Sequence, residues 1–275
     1  MNQYVKLVNF EISRFFKIYV TLIIITILSQ TIGVILEANS YVKNAKQMMK
    51  SESLSLEQYT EYYSSFTIRD FMYSDLVIYP ALLCIAVLGI YVFFIWYKEW
   101  LGKSTFIYRL LMLPTERRNV YFAKLTAFLM FVLCLVGIEL GLFEIYKLIA
   151  KSIVPVELYS EINRTTYFLS DLYMILYPNT LIGFVKAYAI GIAIVAAIFT
   201  AILFERSIGL KGIIIGVLYI LLSLFVILLP SIIQVATSNY FYKNEYNFMI
   251  IVSTLITLLG AIYTSSYLLK NKINV

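Results

Sequence analysis

The sequence predicts an all-α fold, a polytopic membrane protein with six transmembrane helices plus an N-terminal amphipathic interfacial helix. Of its 275 residues, 61% are hydrophobic and only 14% are charged, whereas soluble domains contain about 45–50% apolar and about 25% charged residues. Much of the apolar sequence lies in runs of about 20 residues, the length that crosses a bilayer as a helix. The runs are long and do not alternate in polarity, which argues against membrane-spanning strands.

Six apolar runs are the predicted spans, and four of them contain no charged residue. The spans cover residues 18–36, 76–97, 125–149, 181–204, 213–235 and 248–269. Two long polar segments, 37–75 and 150–180, are the predicted outer loops. Together these elements would form one transmembrane domain over residues 1–275.

Two segments outside the spans also show helical spacing. Residues 2–17 are predicted to form an amphipathic helix on the inner leaflet, with a cytoplasmic extension of the first span as the alternative. Its apolar positions are Val5, Val8, Ile12, Phe15 and Phe16. A short external helix is expected within residues 55–71, where Leu56, Tyr59, Tyr63 and Phe66 recur at spacings of three and four.

The distribution of Lys and Arg predicts the orientation of the chain. If the N-terminus lies in the cytoplasm, the inner segments hold 13 of these residues and the longer outer segments hold 7. Inner loops of membrane proteins are enriched in positive charge. We therefore expect a multi-pass protein of the cell membrane with both termini in the cytoplasm.

The composition also excludes several kinds of chemistry. There is no histidine, and the two cysteines, Cys84 and Cys134, lie inside apolar runs. Zinc sites built on histidine, Ser-His triads and histidine proton relays are therefore excluded, and no metal or other cofactor is expected. The net charge of +6 fits positive inner loops better than nucleic-acid binding, since no basic stripe lies outside the loops.

Gly102-Lys103-Ser104 looks like the end of a phosphate-binding loop. That motif requires a glycine five residues before Gly102, and this position is Tyr97. The motif must also lie between a strand and a helix of a nucleotide-binding fold, whereas here it follows a predicted span. The chain is therefore not expected to bind or hydrolyse ATP, and no catalytic residue is assigned.

The first inner loop, residues 98–124, is charged and has its own helical pattern. An amphipathic helix is expected to end before Pro114, after which Thr115 can cap the next helix with Glu116 at its positive end. Arg117 and Arg118 then lead into the third span. The loop is either a solvated positive loop or a docking platform for a cytoplasmic partner.

Within this loop, residues 109–125 read RLLMLPTERRNVYFAKL. This stretch resembles the leucine-rich, Pro-then-Arg, Gly/Ala-Lys segment before the third span of type-2 ABC transporter permeases. The six spans, the N-terminal amphipathic helix and the long first outer loop are similar as well. One departure is that only about residues 230–247 are available for the re-entrant helical pair that related exporters often have between the last two spans.

The resemblance implies a permease that forms a homodimer or heterodimer with a second permease and docks two separate cytoplasmic ABC ATPase subunits. ATP hydrolysis would then belong to the partner subunits, and the permease would have no enzyme activity of its own. The N-terminal helix and the first inner loop touch the ATPases in such permeases. Carried onto this chain, the docking residues are Glu99, Trp100, Arg109, Glu116, Arg117 and Arg118.

The polar residues within the spans are candidates for a transport pathway, because a charge in hydrocarbon needs a partner or a water-filled cavity. They are Glu139, Glu144, Lys186 and Gln234. Glu144 and Lys186 lie at similar predicted depths, so we expect an ion pair, with Lys147 competing for Glu144; the pair either serves transport or only locks two helices. Glu139 has no obvious partner at its depth, so it either faces a polar pathway or is protonated through desolvation.

Three functions are compatible with the sequence. The first is the permease subunit of an ATP-driven ABC exporter for an amphiphilic substrate: a peptide, an antimicrobial or a lipid-like compound. The second is an ion-coupled secondary transporter with Glu139 and Glu144 as carriers, although inverted repeats and clearly broken helices are missing. The third is a membrane immunity or sensor protein that binds a ligand through its outer loops.

The Ile, Lys and Tyr content is typical of a bacterium with an AT-rich genome.

Overall fold

The computed structural model describes residues 3–100, 116–161 and 175–272. Throughout these ranges the long elements are helices, and no strand is found. Six helices are long and apolar enough to cross a membrane. The predicted all-α polytopic fold class is therefore confirmed, and the chain has the architecture of a multi-pass membrane protein.

The long helices extend beyond the predicted spans, because the helical backbone continues into polar residues after each apolar run has ended. The long helices are α1 (Gln3–Ser51), α4 (Asp75–Trp100), α5 (Arg118–Ile153), α6 (Leu181–Ile208), α7 (Leu210–Ala236) and α8 (Lys243–Asn271). Two short helices, α2 (Leu56–Tyr62) and α3 (Ile68–Met72), follow α1, and a 3-10 turn (Val156–Leu158) follows α5. The connection between α7 and α8 contains only residues 237–242, too few for a re-entrant helical pair.

Helix α1 differs most from the sequence-based expectation. Its 49 residues give a length of about 70 Å, well above the roughly 30 Å of a bilayer core. The predicted helix 2–17 is the beginning of α1, as in the alternative of an extended first span, because neither glycine nor proline interrupts residues 3–32. At its other end α1 continues to Ser51, so the predicted outer loop 37–75 begins as helix.

The chain divides into two compact units. Unit one consists of the described parts of Met1–Phe15, Leu88–Phe131 and Thr180–Val275. Unit two consists of the described parts of Phe16–Val87 and Val132–Asn179. Helices α1, α4 and α5 therefore contribute one segment to each unit, whereas α6, α7 and α8 belong to unit one.

In unit one, α6 packs against both α7 and α8. Helices α6 and α7 form a hairpin around Gly209, whose positive φ of 71° favours glycine. The two helices are close because α7 presents glycines to α6. A Cβ atom at Gly212 would lie 2.1 Å from the carbonyl oxygen of Phe204, and one at Gly216 would lie 2.8 Å from that of Ala201.

Unit two contains an ordered segment between the predicted first and second spans. Ser55 caps α2 in a capping box with Gln58, so the short helix expected within residues 55–71 is present, and its external location stays a prediction. Main-chain bonds join Phe66 to the segment after α5: the Phe66 amide donates to Leu158 at 2.8 Å, and the Ser160 amide donates to Phe66 at 3.0 Å. The first predicted outer loop is therefore tied to the second.

Candidate functional site

Four charged side chains form a buried cluster in unit one, which we call the charge cluster: Glu11, Arg14, Glu99 and Lys124. Lys124 Nζ lies 2.7 Å from Glu11 Oε1 and 2.8 Å from Glu99 Oε1. Arg14 Nη1 lies 2.7 Å from Glu99 Oε1 and 3.7 Å from Glu11 Oε2. The side chains of Lys124 and Glu99 are 0% exposed. Two acids and two bases neutralise one another in this cluster.

Lys124 is at the centre of the charge cluster and uses all its hydrogen-bonding capacity. Besides the two carboxylates, its ammonium donates to the carbonyl oxygen of Ile95 at 2.9 Å, so each of its three N–H groups has an acceptor. The ammonium also lies 5.1 Å from the ring centroid of Trp96, within cation–π range. These contacts compensate for the removal of the charge from water.

The charge cluster connects three segments that are distant in sequence. Glu11 and Arg14 come from the third and fourth turns of α1, Glu99 from the last turn of α4, and Lys124 from the second turn of α5. Beside it, Phe15 stacks on Tyr91 with ring centroids 3.8 Å apart. The N-terminal segment is thus joined to both flanks of the segment 101–115.

A second group of interactions lies where α4 and α6 end. The guanidinium of Arg206 lies 5.0 Å from the ring centroid of Tyr97 and 5.5 Å from that of Trp100. The Tyr97 hydroxyl donates to the Glu205 carboxylate. This group joins the last turn of α4 to the last turn of α6.

The structure separates the predicted docking residues by their environment. Glu99 is 1% exposed and is occupied in the charge cluster, so this carboxylate is not on a surface that a partner can reach. Trp100 is half-buried under Arg206, and Arg109 lies outside the described residues. Glu116 and Arg118 form an exposed ion pair, with side chains 62% and 58% exposed.

Arg117 differs from its neighbours Glu116 and Arg118. It is half-buried, and its Nη1 donates to the carbonyl oxygen of Leu269 at 3.1 Å. Carbonyls in the last turn of a helix have no partner within the helix. Arg117 therefore caps the end of α8 from the start of α5, which is a structural role.

In unit two, Glu139 has a partner that was not predicted. Gln30 Nε2 donates to Glu139 Oε1 at 3.1 Å, and both side chains are buried; we call these residues the polar pair. Gln30 Oε1 accepts no hydrogen bond from any described residue. Glu139 also lines a cavity of about 10 Å³ together with Thr26, close to the minimum that holds one water molecule.

The remaining predicted pathway residues have neighbours within their own units. In unit two, Glu144 Oε2 lies 3.7 Å from Lys147 Nζ, as expected for a competing lysine. In unit one, Lys186 donates to Asn247 Oδ1 at 3.0 Å, and Gln234 donates to the carbonyl oxygen of Phe241 at 3.2 Å. The predicted Glu144–Lys186 pair would join residues of different units and stays a prediction.

Sequence reasoning missed the charge cluster, although one signal for it was available. Lys124 and Arg14 were counted only as cations of inner segments, and Glu11 was not singled out. Glu11 lies three residues after Val8 and four before Phe15, both buried, so it shares the face of α1 that packs on protein. An acid in an apolar stripe needs a partner or a proton, so Glu11 could have been marked as a candidate for a buried pair.

Comparisons of the chain with protein-family models, with curated proteins and with solved structures find no match. The features that bear on function are the charge cluster, the polar pair and the sequence of the first inner loop.

Proposed function

We propose that the chain is the transmembrane permease subunit of an ATP-driven ABC exporter that moves an amphiphilic substrate. In this proposal the protein lies in the cell membrane of a bacterium with both termini in the cytoplasm. It pairs with a second permease and docks separate ATPase subunits, which hydrolyse the ATP. The chain itself is then a transporter subunit and not an enzyme.

The observation that supports this proposal most is the position of the charge cluster. It joins the N-terminal segment to Glu99 and Lys124, which flank the loop that resembles the permease segment. In the permeases that the sequence resembles, the N-terminal helix and this loop are the parts that contact the ATPases. An ion-pair network that joins them would make α1, α4 and α5 respond together to a displacement of the loop.

The exposed charges beside the loop offer a surface for such a partner. Glu116 lies just before α5, and Arg118 is the first residue of that helix. Both side chains are exposed, so they can exchange their mutual ion pair for contacts with another protein. Exposed ion pairs contribute only about 0–1 kcal/mol to stability. Their loss on docking would therefore cost little.

The docking proposal is tested by reversing the charge of Arg118. The tagged chain is purified from its native cells, and the amount of any ABC ATPase that co-purifies is measured. Arg118→Glu should reduce the bound ATPase about fivefold, since an unfavourable charge at an interface costs on the order of 1 kcal/mol. The control is Lys243→Glu, which reverses an exposed charge at the start of α8 and should leave binding unchanged.

Equal losses in the two variants would show a general charge effect and count against docking at Arg118. If the wild-type chain co-purifies with no ATPase, the exporter proposal is wrong.

A second candidate function, an ion-coupled secondary transporter, is favoured by the polar pair. A protonated Glu139 would donate to Gln30 Oε1, the acceptor without a donor among the described residues, while Gln30 Nε2 donates back. The adjacent cavity of about 10 Å³ is close to the smallest volume that holds one water molecule. Glu139 would then carry a proton.

Glu139→Gln distinguishes the two functions, because glutamine cannot exchange a proton. Export of a fluorescent amphiphile from cells is measured with ATP depleted and, separately, with the proton gradient collapsed. The exporter should stop only in the first condition and tolerate Glu139→Gln. A proton-coupled transporter should stop in the second condition and be inactive with Glu139→Gln.

A further inference from the structure

A groove in unit one lies between the C-terminal ends of α6 and α8. Its volume is about 340 Å³, within the roughly 300–1,000 Å³ of small-molecule sites. Its walls are mostly apolar and aromatic, and they include Ile208, Tyr263, Tyr267 and Leu268. Tyr263 and Tyr267 are 75% and 50% exposed, so the groove opens to the surroundings of the protein.

The groove has a cation at one end. Lys272, at the end of α8, is among its lining residues. Two more cations lie at neighbouring helix ends: Lys211 at the start of α7 and Lys270 in the last turn of α8. Arg206, in the last turn of α6, is engaged elsewhere: its Nη2 lies 3.7 Å from Glu205 Oε1, and its guanidinium lies over the rings of Tyr97 and Trp100. The groove therefore combines an apolar wall with a positively charged mouth.

We propose that this groove binds an anionic phospholipid, with one acyl chain along the apolar wall and the phosphate at Lys272. Both halves of such a lipid match the site. The wall is formed by a helix pair of a membrane-spanning protein, so an acyl chain reaches it directly. Cations next to a transmembrane helix attract anionic headgroups, and basic pockets between helices are suited to bind them.

The charges favour a lipid over a second copy of the chain. A symmetric dimer brings the same patch of both copies together. Pairing through this groove would place Lys270 and Lys272 of one copy near the same cations of the other. An anionic headgroup instead neutralises them.

The proposal is tested with the full chain reconstituted in phosphatidylcholine vesicles. The vesicles contain trace spin-labelled phosphatidylglycerol or, in parallel, spin-labelled phosphatidylcholine, and the motionally restricted fraction of each label is measured by electron paramagnetic resonance. Wild-type protein should prefer phosphatidylglycerol about fivefold, and Lys272→Ala should reduce this preference to less than about twofold. Lys272→Arg should preserve it.

Two further variants separate this site from a general effect. Lys243→Ala removes an exposed cation at the other end of α8 and should leave the preference unchanged. Ile208→Trp places a large ring in the groove and should lower the restricted fraction of phosphatidylglycerol.

Three results would overturn the proposal. One is equal restriction of the two lipids by the wild-type chain, and another is a preference that survives Lys272→Ala. The third is a protein dimer that Ile208→Trp dissociates while lipid restriction stays the same, which would identify the groove as an interface between copies.

Discussion

The charge cluster of unit one and the polar pair of unit two bury carboxylates in different ways. In the charge cluster, Glu11 and Glu99 contact two cations at 2.7–2.8 Å. In the polar pair, the described partner of Glu139 is the neutral amide of Gln30. An acid can be buried either by pairing its charge or by remaining uncharged. The first solution fixes helices to one another, and the second leaves a group that can exchange a proton.

The largest effect is expected when the central cation of the charge cluster is removed. Lys124→Met leaves Glu11 and Glu99 buried with Arg14 as their cation, and breaking a buried pair in this way costs about 3–5 kcal/mol. Thermal unfolding in detergent measures the loss. Adding Glu11→Gln should restore part of it, because one of the two carboxylates is then neutral. A loss below about 1 kcal/mol would show that the charge cluster does not hold the three helices.

The comparison becomes sharper when the same substitution is made at both sites. Glu99→Gln leaves two cations with one carboxylate and should cost about 3 kcal/mol. Glu139→Gln keeps a neutral polar group beside Gln30 and should cost about 1 kcal/mol or less. Both are measured as unfolding free energies in the same detergent. If Glu139→Gln costs more than Glu99→Gln, Glu139 is charged and has a cationic partner.

The smallest effect concerns Glu144, whose side chain is 48% exposed. Its contact with Lys147, three residues later on the same helix, contributes about 0.2–0.5 kcal/mol at most. If the predicted pair with Lys186 exists, the double-mutant cycle of Glu144→Ala and Lys186→Ala should show a coupling of about 1 kcal/mol. Losses that add to within about 0.5 kcal/mol would instead leave Lys186 with Asn247 and Glu144 with Lys147.

The fold could be predicted from the sequence more completely than the candidate site. Apolar runs determine where helices can cross a membrane, so six helices were expected, and the described part of the chain contains six. The length of α1 was underestimated because hydropathy shows which residues can face lipid. It does not show where the helical hydrogen bonding of the backbone ends. The charge cluster was missed because its partners are far apart in sequence: 85 residues separate Arg14 from Glu99, and 113 separate Glu11 from Lys124.

Single-residue reasoning was more successful where the partner is local. The short helix α2 within residues 55–71 and the approach of Lys147 to Glu144 were both expected from helical spacing. For Glu99, the sequence showed a charge next to an inner loop but not which way the side chain points. Its direction towards Lys124 follows from the packing of α4 and α5 within unit one.

The glycines of α7 have a consequence for how unit one can move. At Gly212 and Gly216 the missing Cβ atoms leave the backbones of α6 and α7 in direct contact, with no flexible side chain between them to absorb sliding. A single methyl group added at either glycine would meet the α6 backbone and force the two helices apart. Unit one should therefore move with α6 and α7 as one body, whereas α8 meets α6 through contacts such as the hydrogen bond from the Thr200 hydroxyl to the carbonyl oxygen of Ala261.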